Sequence, residues 1–155
     1  MKNVLSVLLV LLFVSSGMVY AQGFTNDSVS GQYGAQIVYG DEEGAGVGVI
    51  TSTGNGSVTG KFTVNIPGIG FGRTIVTADV TGDYTISGEA TFPLNWTVTF
   101  QDRISLDESA DCVIMQANEN KLATEVYCVT KEPLTPIRGF FRKGIMTMTF
   151  KRLPD

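Results

Sequence analysis

The sequence predicts an all-β chain: one antiparallel up-and-down β-barrel of about 8–10 strands, with a β-sandwich as the alternative. Three observations carry this. Apolar side chains recur at every second residue through most of the chain after the first twenty residues. Gly-, Asn- and Pro-bearing turn signals separate those runs at short intervals. No stretch of the same region shows the i, i+3, i+4, i+7 stripe of an amphipathic helix.

The first segment reads as an address. Met1-Lys2-Asn3 is followed by an apolar run from Val4 to Val14 broken only by Ser6, then by Ser15-Ser16-Gly17-Met18-Val19-Tyr20-Ala21. A positive start, an apolar centre and small residues before the cut are the marks of a secretory signal peptide. The expectation is cleavage after Ala21, leaving residues 22–155 as a secreted or periplasmic barrel domain with no integral membrane segment. The apolar run is short for a hydrocarbon core of ~30 Å.

The first strand begins at Ser30-Gly31-Gln32-Tyr33. Thr53-Gly54-Asn55-Gly56 closes a hairpin between Val47–Ser52 and Ser57–Ile66. Within Ser57–Ile66, Val58, Phe62, Val64 and Ile66 fall on one face, as period two requires. Pro67-Gly68-Ile69-Gly70 leads into Arg73–Val80. Thr81-Gly82-Asp83 reads as the turn into Tyr84–Phe92, and Pro93-Leu94-Asn95 as the start of Trp96–Ile104. Ser105–Ala110 reads as a polar, acidic connection. Pro133 and Pro136 then precede Ile137–Arg142 and a last run, Ile145–Lys151.

Cys112 and Cys128, the chain's two cysteines, flank Asn118-Glu119-Asn120-Lys121. A turn centred on Asn120 sets Cys112 opposite Cys128, Ile114 opposite Val126 and Gln116 opposite Thr124. Opposed residues of an antiparallel pair stand close enough to bridge. Export would make that bridge a structural disulfide contributing about 3 kcal/mol by closing so short a loop.

Gly31, Gly60 and Gly82 each stand two residues before a ring, at Tyr33, Phe62 and Tyr84. Glycine inside a strand marks a bend or a close backbone approach, which a closing barrel needs. Closure also removes exposed sheet edges. An outer-membrane barrel would show the same period with its apolar face outward, although most runs here are shorter than the ~9–11 residues a spanning strand needs.

Ser30-Gly-Gln-Tyr33, Gly54-Asn-Gly-Ser-Val-Thr-Gly60, Thr81-Gly-Asp-Tyr-Thr-Ile86, Asp111-Cys-Val-Ile114 and Arg138-Gly-Phe-Phe-Arg-Lys143 together resemble small exported bacterial proteins of unknown function with a calycin-like barrel, the lipocalin and avidin-like group. Arg138 and Arg142 supply the Arg-bearing terminal segment of that resemblance. Tyr33 stands where the lipocalin first-strand motif usually has tryptophan. The resemblance implies the barrel and implies no activity.

Composition excludes much chemistry. With no histidine there is no imidazole base and no His-ligated metal. Two cysteines cannot build a Cys₄ zinc site. A net charge of −4 argues against a nucleic-acid partner. The glycines at 44, 46 and 48, and at 68, 70 and 72, do not spell a dinucleotide-binding turn. Asp79, Asp83 and Glu89 lie near one turn, but read as outward or turn residues. Asp41-Glu42-Glu43 and Asp107-Glu108 with Asp111 read as solvated acidic loops. Sequons stand at Asn26, Asn55 and Asn95.

The expected inward face comprises Tyr33, Ile37, Tyr39, Val49, Phe62, Val64, Val76, Tyr84, Ile86, Phe92, Trp96, Phe100, Met146, Met148 and Phe150. Tyr33, Tyr84, Trp96, Phe62 and Phe100 are the candidate ligand pocket, for a small apolar guest whose position polar ring tips would set. No catalytic residue, metal site or cofactor is expected. The reading is an exported, non-enzymatic barrel with an interior ligand; the alternatives are a cell-surface or extracellular-matrix interaction protein and a small outer-membrane barrel.

Overall fold

The computed structural model describes residues 23–40, 44–67, 72–101, 105–131 and 145–154. The expected signal peptide, the Ile137–Arg142 run and Arg138 and Arg142 of the resemblance lie outside the described residues. The described chain is a closed antiparallel barrel with strands in sequence order. The strands are β1 (Gly31–Tyr39), β2 (Gly44–Ser52), β3 (Ser57–Pro67), β4 (Arg73–Tyr84), β5 (Thr91–Phe100), β6 (Ser105–Ala117), β7 (Ala123–Thr130) and β8 (Met146–Arg152). Closure comes from β1 against β8, running from Tyr33↔Arg152 to Tyr39↔Met146. The pairing from Tyr84 to Leu94, Ala110 and Thr130, and on through Met146, reaches Tyr39. The opposite way round the ring it reaches β1 about ten residues earlier, the stagger of a tilted barrel.

Period two fixes what fills the barrel. Ile37, Phe62, Val64, Val80, Leu94, Trp96, Met146, Met148 and Phe150 are buried in one continuous cluster. The outward positions between them carry Thr59, Lys61, Thr63, Asp79, Thr81, Asp83 and Asn95, nearly all exposed polar groups. Across the outer face of β5 and β6, Thr97 donates to Asp107 (2.7 Å), Ser109 donates to Asn95 (3.0 Å), and the Thr99 and Ser105 hydroxyls pair. A barrel facing lipid would carry its apolar side chains on that outer surface.

Two rings occupy the middle, Phe62 and Trp96, edge to face at 6.1 Å between centroids. Each stands opposite a glycine across its hairpin, Gly48↔Phe62 and Gly82↔Trp96. A Cβ on Gly48 would fall 2.5 Å from the Phe62 ring, and one on Gly82 would fall 2.4 Å from the Asn95 carbonyl and 2.8 Å from Trp96 Cβ. Gly48 therefore leaves room for the Phe62 ring, and Gly82 for the close approach of the β5 backbone at Asn95 and Trp96.

These glycines correct several sequence expectations. In β2, Gly44, Gly46 and Gly48 face inward, so Val49 is 45% exposed and Ile50 takes the core position at 7%. Thr81-Gly82-Asp83 is no turn, because β4 runs through it to Tyr84. The connection is residues 85–90, and Pro93-Leu94-Asn95 lies inside β5. Pro93 is tolerated there. Ile114 N–H donates to Ala90 O, and by strand alternation from that bond the nitrogen of Pro93 faces away from β6, toward β4. Pairing with β4 stops at Tyr84↔Leu94, so no ladder bond is lost.

Ser105–Ala110 is likewise strand, the first half of β6, paired with β5 from Thr99↔Ser105 to Leu94↔Ala110. Gln116 pairs with Glu125 instead of Thr124, because the register shifts after Ile114. An extra residue in one strand is a bulge, and it re-aims the side chains beyond it. The turn after the bulge is set by Asn118, whose side-chain oxygen accepts from the N–H groups of Asn120 and Leu122.

Replacing Gly82 with Ala forces a Cβ into backbone as well as side chain, and overpacking of that kind costs about 1–3 kcal/mol. Gly72 has open space where its Cβ would go. Urea unfolding should show Gly82→Ala destabilised by that amount and Gly72→Ala within about 0.5 kcal/mol of the parent. Equal stability of the two variants would refute the ring-over-glycine account.

Candidate functional site

The two ends of the barrel differ. At one end lie the start of β1, the 53–56 turn, the 85–90 connection and the end of β8. A 3₁₀ turn, Asn26–Val29, closes that end and buries Ser28 and Val29. Phe24 bridges Gly88 beside it. Asn26 Oδ1 accepts the Ile86 N–H at 2.8 Å, tying the turn to the 85–90 connection.

The polar tips at this end are committed to the protein itself. Tyr33 donates to the Ala123 carbonyl at 3.0 Å. Arg152 lays its guanidinium 5.2 Å from the centre of the Tyr33 ring. The same group donates to the Ala123 carbonyl (3.0 Å), the Tyr33 hydroxyl (3.2 Å) and the Ser30 carbonyl. Burial raises the Tyr33 pKa, and Arg152 offsets part of that rise. Ser52 Oγ pairs with the Tyr84 hydroxyl at 2.6 Å, and Tyr84 donates onward to the Asn26 carbonyl at 3.1 Å.

A cavity of about 40 Å³ remains among these side chains, walled by Val29, Tyr33, Tyr84, Phe92, Phe150 and the disulfide, among others. One water takes ~30 Å³ of liquid volume, whereas small-molecule sites are typically ~300–1,000 Å³. The closed end is core. The disulfide joins Cys112 and Cys128, which stand directly opposite with Cα atoms 4.0 Å apart and are both buried inside the barrel. Lys131 N–H donates to Ser109 O, so the Cys112↔Cys128 pair falls on the closer, non-hydrogen-bonded kind of position.

At the opposite end the inner wall is partly exposed on one side of the barrel, while Ile66, Thr130 and Met146 on β3, β7 and β8 are buried. Tyr39, Val76, Val98, Phe100, Leu106 and Glu108 occupy inward positions on β1, β4, β5 and β6, yet each is only partly buried. Below them Trp96 is 4% exposed. Its Nε1 is the buried side-chain polar atom that lacks a hydrogen-bond partner among the described residues. A buried indole N–H ordinarily finds an acceptor.

Trp96 stands directly opposite Glu108 on β6. The inward carboxyl has no hydrogen bond or ion pair among the described residues, and burial pushes its pKa up to about 7. Tyr39 shares its surroundings: burial, and secondly the charge of Glu108, raise the Tyr39 hydroxyl well above its ordinary range. Among the described residues, this end thus brings aromatic and aliphatic side chains together with one acid and one indole N–H that lack partners.

The five candidate pocket residues do not share one pocket. Tyr33 and Tyr84 serve the closed end, Phe62 and Trp96 fill the middle, and Phe100 stands at the open end. Sequence reading missed Glu108, because an acidic residue beside Asp107 suggested a loop. Counting back in twos from buried Cys112 through Ala110 reaches Glu108 and Leu106, and that parity was the available signal.

Other carboxylates stay in water. Asp79 lies 3.3 Å from Lys61 with both side chains exposed, an ion pair of small consequence. Asp83 and Glu89 are exposed. Asp111 meets Lys131 at 2.9 Å. Among the described residues no cluster of three or more His, Cys, Asp or Glu side chains could hold a metal ion.

No family model and no curated protein matches the chain. The barrel expected from the calycin-like resemblance is present, and that is as far as the resemblance is supported.

The raised Glu108 pKa has a definite sign in stability. A carboxyl that titrates near 7 when folded and near 4.5 when unfolded favours the fold at low pH. That contribution is fully present below about 4.5 and is lost as pH rises through 7. Glu108→Gln should therefore match the parent at pH 4.5 and exceed it at pH 8 by about 1–2 kcal/mol, after allowance for partial solvent screening. Denaturation of both proteins at the two pH values checks this; equal stability at pH 8 would place the carboxyl in solvent.

Proposed function

We propose that the chain is an exported, non-enzymatic barrel that holds one small guest at its open end. One observation carries the reading: among the described residues, the inner wall changes from buried and hydrogen-bonded at one end to partly exposed and unsatisfied on β1, β4, β5 and β6 at the other. The unsatisfied part holds a buried donor, Trp96 Nε1, opposite an unpaired acid, Glu108. An apolar recess with a few convergent polar groups is the usual form of a small-molecule site.

The guest seat differs from the one expected at the level of sequence. A lipid-sized molecule does not fit among Tyr33, Tyr84 and Phe92, where the cavity is about 40 Å³. The open-end ring of Tyr39, Val76, Val98, Phe100 and Leu106 supplies apolar walls instead. Export is supported by the signal-like first 21 residues, which lie outside the described ones, and by the disulfide, a bond at home in oxidising compartments. No helix among the described residues is long and apolar enough to cross a membrane.

A second reading, a surface interaction protein, has an observation of its own. A shallow groove of about 510 Å³ crosses the outer face of β5, β6 and β7 between Thr91, Pro93, Asp111, Val113, Tyr127 and Val129. Tyr127 and Met115 are exposed beside it.

N-phenyl-1-naphthylamine, a neutral apolar dye, separates the two. Open-end binding should be saturable at one site, should draw energy transfer from Trp96, the chain's single tryptophan, and should weaken at least tenfold in Val98→Phe. Val113→Ser on the outer groove should leave it unchanged. Absence of saturable binding, or loss in Val113→Ser alone, would overturn the open-end seat.

A further inference from the structure

The open-end recess, on the proposal that it seats a guest, also restricts what that guest can be. Its acid is unpaired, its walls are rings and aliphatic side chains, and its floor offers a single N–H. Each of these selects against a class of ligand.

Among the described residues, no inward cation stands beside the Glu108 carboxylate to receive an anion. Arg152 sits at the closed end, bound to Tyr33, Ser30 and Ala123. Lys61, Arg73 and Lys131 point outward, the first to Asp79, the second to Asn65 and the third to Asp111. A metal ion would need several oxygen ligands, and the described inner wall supplies one carboxylate. A neutral guest would leave the carboxylate buried and unpaired whenever it is ionised, which is costly. A cation with an apolar body meets each demand. Its charge pairs with the acid, and ring faces such as those of Trp96, Tyr39 and Phe100 attract a positive head.

We infer that the recess takes an organic ammonium ion, its charged head against the Glu108 carboxylate and its apolar body over Trp96. The aromatic residues concerned come from different strands, Tyr39 from β1 and Trp96 and Phe100 from β5. Closure of the barrel brings β1, β5 and β6 round one enclosed space. The acceptor role open at Trp96 Nε1 favours an ammonium that also carries a hydroxyl, carbonyl or ring nitrogen.

Recognition of this kind depends on pH. Among the described inward residues of this end, Trp96 on β5 stands directly opposite Glu108, and Val76 on β4, Tyr39 on β1, Thr130 on β7 and Met146 on β8 line the same end. Of these only Tyr39 titrates, far above neutrality, so the transition belongs to Glu108. Below pH 6 the acid is protonated and the preference for a cation fades; above pH 8 it is charged and the preference is full. Because the bound cation holds Glu108 ionised, binding at pH 7 releases a proton.

Three probes of one shape test this: phenethylammonium, 2-phenylethanol and phenylacetate, titrated by calorimetry and by Trp96 emission. At pH 8 the ammonium should bind at least tenfold tighter than the alcohol and the carboxylate weakest. Glu108→Gln should bring the ammonium to the level of the alcohol without weakening the alcohol, and at pH 5 the parent should show the same levelling. Calorimetric heat at pH 7 should vary with buffer ionisation enthalpy. Equal binding of all three probes, tightest binding of phenylacetate, or an unchanged ammonium affinity in Glu108→Gln would overturn the ammonium assignment. The naphthylamine dye keeps the two proposals apart. Its binding without an ammonium preference overturns only the class of guest, and failure of dye and probes together overturns the seat as well.

Discussion

The packing of Phe62 against Trp96 over Gly48 and Gly82 is the constraint on which the barrel interior depends. The Phe62 ring occupies the space that a side chain on Gly48 would take, and Gly82 lets the β5 backbone at Trp96 come close to β4. That arrangement sets the parity of β2, since Gly48 inward places Gly46 and Gly44 inward and Val47 and Val49 outward. It also divides the interior. Beneath the rings the core runs to the disulfide and the closed end, and above them the wall opens. A barrel of eight strands has an interior close to the volume of its own side chains. Where two rings meet in its middle there is no passage, and anything held inside must be held at an end.

The ends are then distinguished by how their polar groups are satisfied. At the closed end, Arg152 joins the last strand to Tyr33 on the first, to the chain leading into it at Ser30 and to Ala123 at the start of β7. Tyr84, Ser52 and Asn26 form a second chain of contacts. Buried networks rigidify a fold when every member is satisfied. These tie the N-terminal 3₁₀ turn, the strand that closes the ring and the 85–90 connection into one unit. At the open end two groups with the same demands, an indole N–H and a carboxyl, are left without partners among the described residues. The contrast within one molecule is what makes the open end informative, because the same sheet satisfies its other buried polar groups.

The fold was legible in the sequence wherever a strand carried large side chains on one face only. Ser57–Ile66 reads correctly because Val58, Phe62, Val64 and Ile66 repeat in twos, and the cysteine register reads correctly because Asn118 fixes a short turn between equal arms. Legibility failed where glycine hid the inner face. In Gly44–Ile50 the visible apolar residues are the outward ones, and alternation alone points the wrong way. It failed again at Gly82 and Pro93, where residues that usually break strands lie inside β4 and β5 for local reasons: a ring needing room, and a nitrogen with no neighbour. At Ser105–Ala110 the inner face contains an acid, so the pattern of polarity no longer marks inside from outside. The candidate site failed with it. Tyr39 and Trp96 are visible as apolar residues, but only the register, which pairs Trp96 with Glu108, brings the acid to them.

An inward acid near the end of the barrel is also less costly than one in its middle. Deep among Phe62, Val64 and Met148 an unpaired carboxylate would have no route to water, and its burial would be prohibitive. One inward position below Leu106 on β6 it remains partly solvated, so the fold bears a titration moved to about 7 where a buried carboxylate would instead stay protonated throughout the ordinary pH range. The strand that carries it is anchored elsewhere, by the disulfide at Cys112 and by the outer hydroxyl, amide and carboxylate pairs with β5. Those anchors allow β6 to hold a destabilising side chain in place. On the proposal that a guest binds here, a rigid wall presenting one partly desolvated acid gains binding strength from a single charge, because much of the cost of removing the acid from water is met on folding.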